Sequence, residues 1–199
     1  MMKFILRLLL VLLLFGVAPV LNAQDLKANS LKDAAMDKKF ASVKGEFAIA
    51  LPTKNDYTED LTLDDQYFKG AGIFYGWRMR EAVLSVMFIN TTSQYLPSNE
   101  AGNEAFFRGF INGMLTPVKG KLLSSSRIKY GASEGVKFKY ETDKFNGIGR
   151  MYIIGERIYY LNAMLAAEPD SEKIAEQIFE TFKVVKQTDK PQPAPSKKL

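Results

Sequence analysis

The chain of 199 residues contains no cysteine and no histidine. Without an imidazole there is no Ser-His-Asp triad, without a thiol no cysteine protease, and ordinary zinc or copper sites draw on one or both groups. Haem held by an axial histidine or cysteine, and iron-sulfur clusters, are excluded in the same way. No disulfide can staple the fold, so stability has to come from an apolar core. A strong excess of charge is lacking too. The formal net charge is +5, with no clustered basic helix, so no nucleic-acid partner is expected. Any chemistry left must use carboxylates, lysine, tyrosine or serine; no catalytic residue, cofactor or metal site is expected.

A long hydrophobic run is also missing. Lys3 and Arg7 precede the apolar stretch Leu8 to Val17, and a short tail ends in Leu21-Asn22-Ala23. That order is an export signal, and its apolar run falls short of the roughly 20 residues that a bilayer span requires. Residues 1–23 are therefore expected to be a cleaved signal peptide, leaving no transmembrane span. The mature chain is expected to be exported, periplasmic or secreted. Cleavage removes Lys3 and Arg7 and lowers the formal charge from +5 to +3.

Residues 24–44, with lysines and aspartates among scattered alanines, read as a linker or marginal helix. Residues 187–199 carry Pro191, Pro193 and Pro195 with three lysines, a composition unable to bury enough apolar surface to order itself. One domain, residues 45–186, is expected between them.

Within that domain the hydrophobic period changes repeatedly. Phe47 to Leu51 form a short strand stopped by Pro52. Residues 73–80 and 83–89 read as a hairpin. After a loop at Ser98 to Gly102, the residues Phe106, Phe107, Phe110, Ile111, Met114 and Leu115 fall on one helix face, and Thr116-Pro117 ends that helix. Residues 121–129 and 134–140 are two further strands, the second with Lys137 and Lys139 on a wet face. Gly155-Glu156 is a two-residue turn with glycine first. It sets Ile154 opposite Arg157, Ile153 opposite Ile158, Tyr152 opposite Tyr159 and Met151 opposite Tyr160. Large side chains then point to both faces of the sheet, so both faces need cover. A final helix beginning near Pro169-Asp170 supplies part of it through Ile174, Ile178 and Phe182. The expected class is α+β: a central antiparallel β-sheet with helices packed on both faces.

The opening Gly45-Glu46-Phe47-Ala48-Ile49-Ala50-Leu51-Pro52, the mid-chain helix, the hairpin Arg150 to Leu161 and the closing Phe179-Glu180-Thr181-Phe182-Lys183-Val184 together resemble the PsbP-like α/β/α sandwich. The resemblance spans roughly residues 44–186 and lies in element order and apolar pattern. It implies an accessory or binding protein, as with extrinsic subunits of photosystem II, a Ran-binding nuclear protein and exported bacterial members. It implies no catalytic residue.

Ser126-Arg127-Ile128-Lys129 matches the Ser-x-x-Lys pattern of penicillin-binding enzymes, but on a strand residues three apart face opposite ways, and the companion motifs are missing. The acidic cluster Asp56, Glu59, Asp60, Asp64 and Asp65 lacks the spacing of a calcium loop and reads as a solvated loop. Gly70 and Gly72 do not complete a dinucleotide fingerprint. Asn90-Thr91-Thr92 is a glycosylation sequon that matters only in a eukaryotic secretory pathway. The one positive candidate is the aromatic and arginine-rich stretch 67–80, where Phe74, Trp77, Arg78 and Arg80 are taken as ligand- or partner-binding residues. The competing reading makes Ile73, Tyr75, Trp77 and Met79 one buried strand face.

The expected function is a non-catalytic accessory or interaction protein of the cell envelope, docking on another envelope protein. The alternative is a carrier of a lipid or other small apolar ligand held between sheet and helix; a carboxylate-dependent hydrolase comes third. The carrier needs a lined cavity behind the mid-chain helix, the docking protein a filled core with an exposed apolar patch, and the hydrolase two facing carboxylates.

Overall fold

The computed structural model describes residues 30–31, 39–64, 68–166, 168 and 170–185. The export signal expected over 1–23 and the tail expected over 187–199 lie outside the described residues, as does much of 24–44.

In chain order the elements are β1 (Phe40–Ser42), β2 (Phe47–Ile49), β3 (Tyr57–Asp64), β4 (Lys69–Arg78), β5 (Ala82–Thr91), α1 (Glu100–Leu115), β6 (Lys121–Tyr130), β7 (Ser133–Glu141), β8 (Asn146–Ile154), β9 (Arg157–Leu165), α2 (Ser171–Glu180) and β10 (Lys183–Val184). A seven-stranded sheet has the order β3-β4-β5-β9-β8-β7-β6, and a small sheet has β1-β2-β10. Every neighbouring pair in the large sheet is antiparallel. Two meanders, β3-β4-β5 and β6-β7-β8-β9, meet where β5 pairs with β9, and α1 carries the chain from the middle of the sheet to its far edge.

The fold is thus α+β with a mostly antiparallel sheet. The register read from Gly155-Glu156 is the one observed, with all four expected pairs in place. Gly155 takes φ +60, which a residue with a Cβ adopts only with strain.

Strand residues alternate between two separate hydrophobic clusters, the period-two signature of a sheet buried on both sides. Ile73, Tyr75 and Trp77 of β4, Leu84, Val86 and Phe88 of β5, and Tyr159 and Leu161 of β9 join Phe47 and Ile49 of β2 and Ala175, Ile178 and Phe179 of α2. Phe74, Val83, Met87, Ile89, Tyr160, Met151, Val136, Phe138 and Tyr140 join Leu61 and Leu63 of β3 and Phe107, Ile111, Met114 and Leu115 of α1.

The α1 helix begins at Glu100, inside the loop expected from Ser98 to Gly102, because the Asn99 side chain accepts a hydrogen bond from the Gly102 amide at 2.8 Å and caps it. It contains Gly102, Gly109 and Gly113, each less favourable than alanine by roughly 0.5–1 kcal/mol. Burial of Phe107, Ile111, Met114 and Leu115, worth roughly 1.5–3 kcal/mol per side chain, outweighs that.

Two expectations need correction. The linker expected over 24–44 ends too late, since Phe40–Ser42 is a strand paired with β2 and Leu31, fully buried, belongs to the first cluster. The acidic stretch expected as a loop is largely strand β3: Leu61 and Leu63, two apart, point into the second cluster while Asp60 and Asp64 face outward, the alternation of an edge strand.

Candidate functional site

The four residues proposed from sequence do not form one surface. Trp77 is 1% exposed; its ring meets Phe40 edge-on at 4.9 Å and its indole N–H donates to the Pro52 carbonyl at 3.0 Å. Phe74 is 2% exposed in the other cluster, against Tyr57. These ring faces are packed by protein, as the competing reading has it for Trp77. For Phe74 the buried face comes as a correction, because the sheet is covered on that side as well. Arg78 and Arg80 are exposed. The Arg78 amide donates to the Asp56 carboxylate at 2.6 Å, and Arg80 donates through Nε and Nη2 to one oxygen of buried Glu81, whose other oxygen accepts the Leu31 amide at 2.9 Å. The Arg78 backbone amide and the Glu81 carboxylate therefore tie the β4–β5 turn to the chain around it.

Sequence reasoning gave no sign of the polar groups inside the second cluster. Asn162 of β9 lies opposite Ser85 of β5 and Gly149 of β8, and Ser85 lies opposite Gly76 of β4, which makes a row of small or polar residues across four central strands. The Tyr140 hydroxyl donates to Asn162 Oδ1 at 2.9 Å. Burial holds Tyr140 protonated, raising its pKa well above the usual tyrosine value, and does the same to Tyr160, whose hydroxyl donates to Met114 Sδ at 2.6 Å. Ser85 Oγ and Asn162 Nδ2 are buried without a hydrogen-bond partner among the described residues.

A second buried polar group lies toward α2. Arg150 of β8, 7% exposed, forms ion pairs with Glu176 and with Glu180 at 2.6 Å, and its guanidinium lies 5.9 Å from the Phe179 ring centre. Burial opposes its charge, but Glu180 and Glu176 more than offset this and its pKa is raised. The arrangement fastens helix to sheet. Among the described residues no group of three or more carboxylates gathers to hold a metal ion. Ser126 and Lys129 both lie on β6, three apart on a strand and so on opposite faces.

The accessible feature with a distinct character is the edge strand β6. Its first seven residues, Lys121 to Arg127, are all exposed, among them Leu122 at 39% and Leu123 at 49%. A bulge interrupts its pairing with β7 between Leu122 and Ser124. Its far side pairs with no strand among the described residues. Basic side chains punctuate it: Lys121 pairs with Glu141, and Arg127 and Lys129 share Glu134. Arg127 also lies over the Phe107 ring at 4.9 Å. Sequence reading saw the strand but not that it is an edge, which depends on where the second meander joins the first.

Comparison with solved structures places this architecture. The solution structure of cyanobacterial PsbP (CyanoP) from Synechocystis sp. PCC 6803 superposes with a TM-score of 0.52 over 74% of this chain and 91% of that one, at 9% identity. The fold is PsbP-like. A Pseudomonas aeruginosa protein of unknown function aligns over 78% of this chain and 98% of its own, at 11% identity and a TM-score of 0.36. The chain matches no protein-family model and no curated protein. At 9% identity the PsbP-like likeness is one of fold alone. Among the described residues no helix is long and apolar enough to cross a membrane.

Proposed function

We propose that this chain is an exported, non-catalytic accessory or interaction protein of the cell envelope that docks through the β6 edge of its large sheet. The observation that carries the reading is the exposed apolar pair Leu122 and Leu123 on a ten-residue edge strand, set beside a core whose aromatic side chains are engaged with one another. Edge strands present unpaired backbone donors and acceptors that a partner strand can take up, and exposed apolar side chains beside them add burial. Export is supported by the sequence of residues 1–23. The architecture fits an α/β/α sandwich, with α1 over one face of the sheet and α2 over the other, because each helix contributes to a different cluster.

Photo-crosslinking from position 123 of the full chain, expressed in its native host, tests the docking reading. One discrete crosslinked polypeptide is expected, lost when Leu122 is replaced by serine. A chain that crosslinks to nothing at this edge refutes it.

A carrier function has one observation in its favour, the buried Ser85 Oγ and Asn162 Nδ2, which have no hydrogen-bond partner among the described residues. A carrier would use them to bind the carbonyl or hydroxyl of a small, mostly apolar ligand. Native mass spectrometry of the chain taken gently from its envelope would then show an added small-molecule mass, and a clean mass retires that reading.

A further inference from the structure

The excess positive charge of this chain is concentrated at its exposed sheet edge. The β6–β7 hairpin, residues 121–141, holds five basic and two acidic residues, a formal +3. Beyond residue 23 the rest of the chain balances, with 20 of each sign.

The strand register divides the hairpin's cations between the two faces of the sheet. Arg127 lies opposite Val136 and Lys129 opposite Glu134, so both are on the α1 side, where Val136 joins the second cluster. Lys121, Lys137 and Lys139 are on the α2 side, where Ser126 lies opposite Lys137 and Ser124 opposite Lys139. Carboxylates match most of these. Lys121 pairs with Glu141 and Lys139 with Glu172, and one strand further in Arg150 has Glu176 and Glu180. The unmatched charge lies at one level of the strand: Arg127 and Lys129 share the single carboxylate of Glu134, and Lys137 has no ion pair among the described residues.

That charge defines what a strand added beside β6 has to carry. Its residues alternate between the two sides, so the one opposite Arg127 faces the α1 side and its neighbour, opposite Ser126, faces the α2 side. Serine is short. A carboxylate opposite it extends over Ser126 toward Lys137, whose strand lies about 10 Å away at the usual spacing, a gap that two long side chains close. Two consecutive acidic residues therefore meet one cation on each face. Leu122 lies opposite Tyr140, four residues along β7 from Val136 and on the same side, so an apolar residue four positions along the added strand meets it. The same cations repel β6 of a second copy, because like charges across strands are unfavourable.

We propose that the occupant of the β6 edge is an extended segment of another protein that carries two consecutive acidic residues and an apolar residue four positions from one of them. This rests on the reading of β6 as a docking edge and states the chemistry of its partner.

Photo-crosslinking from position 123 of the full chain in its native host, followed by mass spectrometry of the captured peptide, tests it. That peptide is expected to contain the acidic pair. Lys129→Glu with Lys137→Glu reverses one charge on each face and is expected to lower the yield roughly tenfold or more, whereas Lys129→Arg with Lys137→Arg keeps it. Raising the salt in isolated envelopes should weaken wild-type capture in the same way. Both positions are exposed, and Arg127, which lies over Phe107, is left in place, so circular dichroism should show an unchanged fold. A captured peptide without an acidic pair or one from this chain itself, or a yield indifferent to charge reversal and salt, overturns the inference and leaves β6 a docking edge. Capture of phospholipid alone, or of nothing, overturns both.

Discussion

Phe138 of β7 lies across the ladder from Gly149 of β8, and its ring occupies the space a side chain at 149 would need: a Cβ there would sit 2.4 Å from the ring. Tyr140 stands in the same relation to Gly147, at 2.1 Å. Aromatic rings laid over glycine make cross-strand pairs that bury more area than two medium-sized residues would, and they hold the register of β7 on β8.

Phe138 cannot move aside, because it is 2% exposed and lies parallel to the Tyr160 ring, 6.3 Å between centres. Gly149→Ala is therefore expected to destabilise the fold by about 1–3 kcal/mol, the usual effect of overpacking. Urea unfolding measures this. Adding Phe138→Leu, which opens the space, should recover part of the loss, and a single variant as stable as the wild type would sink the argument.

Gly109 offers the reverse case. It lies within α1, and a Cβ at this position meets nothing within 4 Å. Gly109→Ala should stabilise the protein by about 0.5–1 kcal/mol, chiefly by restricting the unfolded chain. Gly155 also has open space around it but takes φ +60, so Gly155→Ala should destabilise by about 1 kcal/mol or more through backbone strain. Opposite shifts in melting temperature from two substitutions with equal room would separate backbone conformation from packing.

What was legible in the sequence followed from strong local signals. Gly155-Glu156 between two apolar runs set the β8–β9 register, and the spacing from Phe106 to Leu115 set the buried face of α1. Strand β3 was obscured because its outward positions carry Asp60 and Asp64, and two leucines among acidic residues look like a loop until a neighbouring strand is there to receive them. Strand β1 is three residues long, and its place depends on β2 lying alongside. Residue type alone singles out the four site residues, yet burial depends on what covers a strand. Phe74 and Trp77 alternate into two covered faces while Arg78 and Arg80 do not.

Arg150 and its partners predict an asymmetry. Glu176→Gln with Glu180→Gln leaves a guanidinium that is 7% exposed without its counter-charges, and should cost about 3–5 kcal/mol, the range for breaking a buried pair. Arg150→Met leaves behind two carboxylates that water can reach, Glu180 at 71% side-chain exposure, so its cost should be clearly smaller. Equal losses in chemical denaturation would show that burial of the arginine is not what gives the pair its weight.

The final prediction concerns pH. With no histidine, no side chain has an ordinary pKa between those of the carboxylates and those of tyrosine and lysine, so stability should be flat from about pH 6 to pH 9. Tyr140, Tyr160, Tyr152 and Tyr159 all have raised pKa values, burial being the largest cause in each, and Tyr57 is pushed up to about 12, first by its hydrogen bond to Glu59. A folded-state pKa above the unfolded one means that the folded chain holds its proton more tightly. The stabilisation is then complete below the unfolded value near 10 and is lost as pH rises from there through the folded values. Ionisation of the buried tyrosines, followed by ultraviolet absorbance, should therefore coincide with loss of near-ultraviolet circular dichroism in one cooperative step above about pH 10. Tyr140→Phe should make that step shallower, yet lower stability at neutral pH by about 1–3 kcal/mol because Asn162 Oδ1 loses its donor. Smooth, independent ionisation of these tyrosines in a chain that stays folded would contradict both parts.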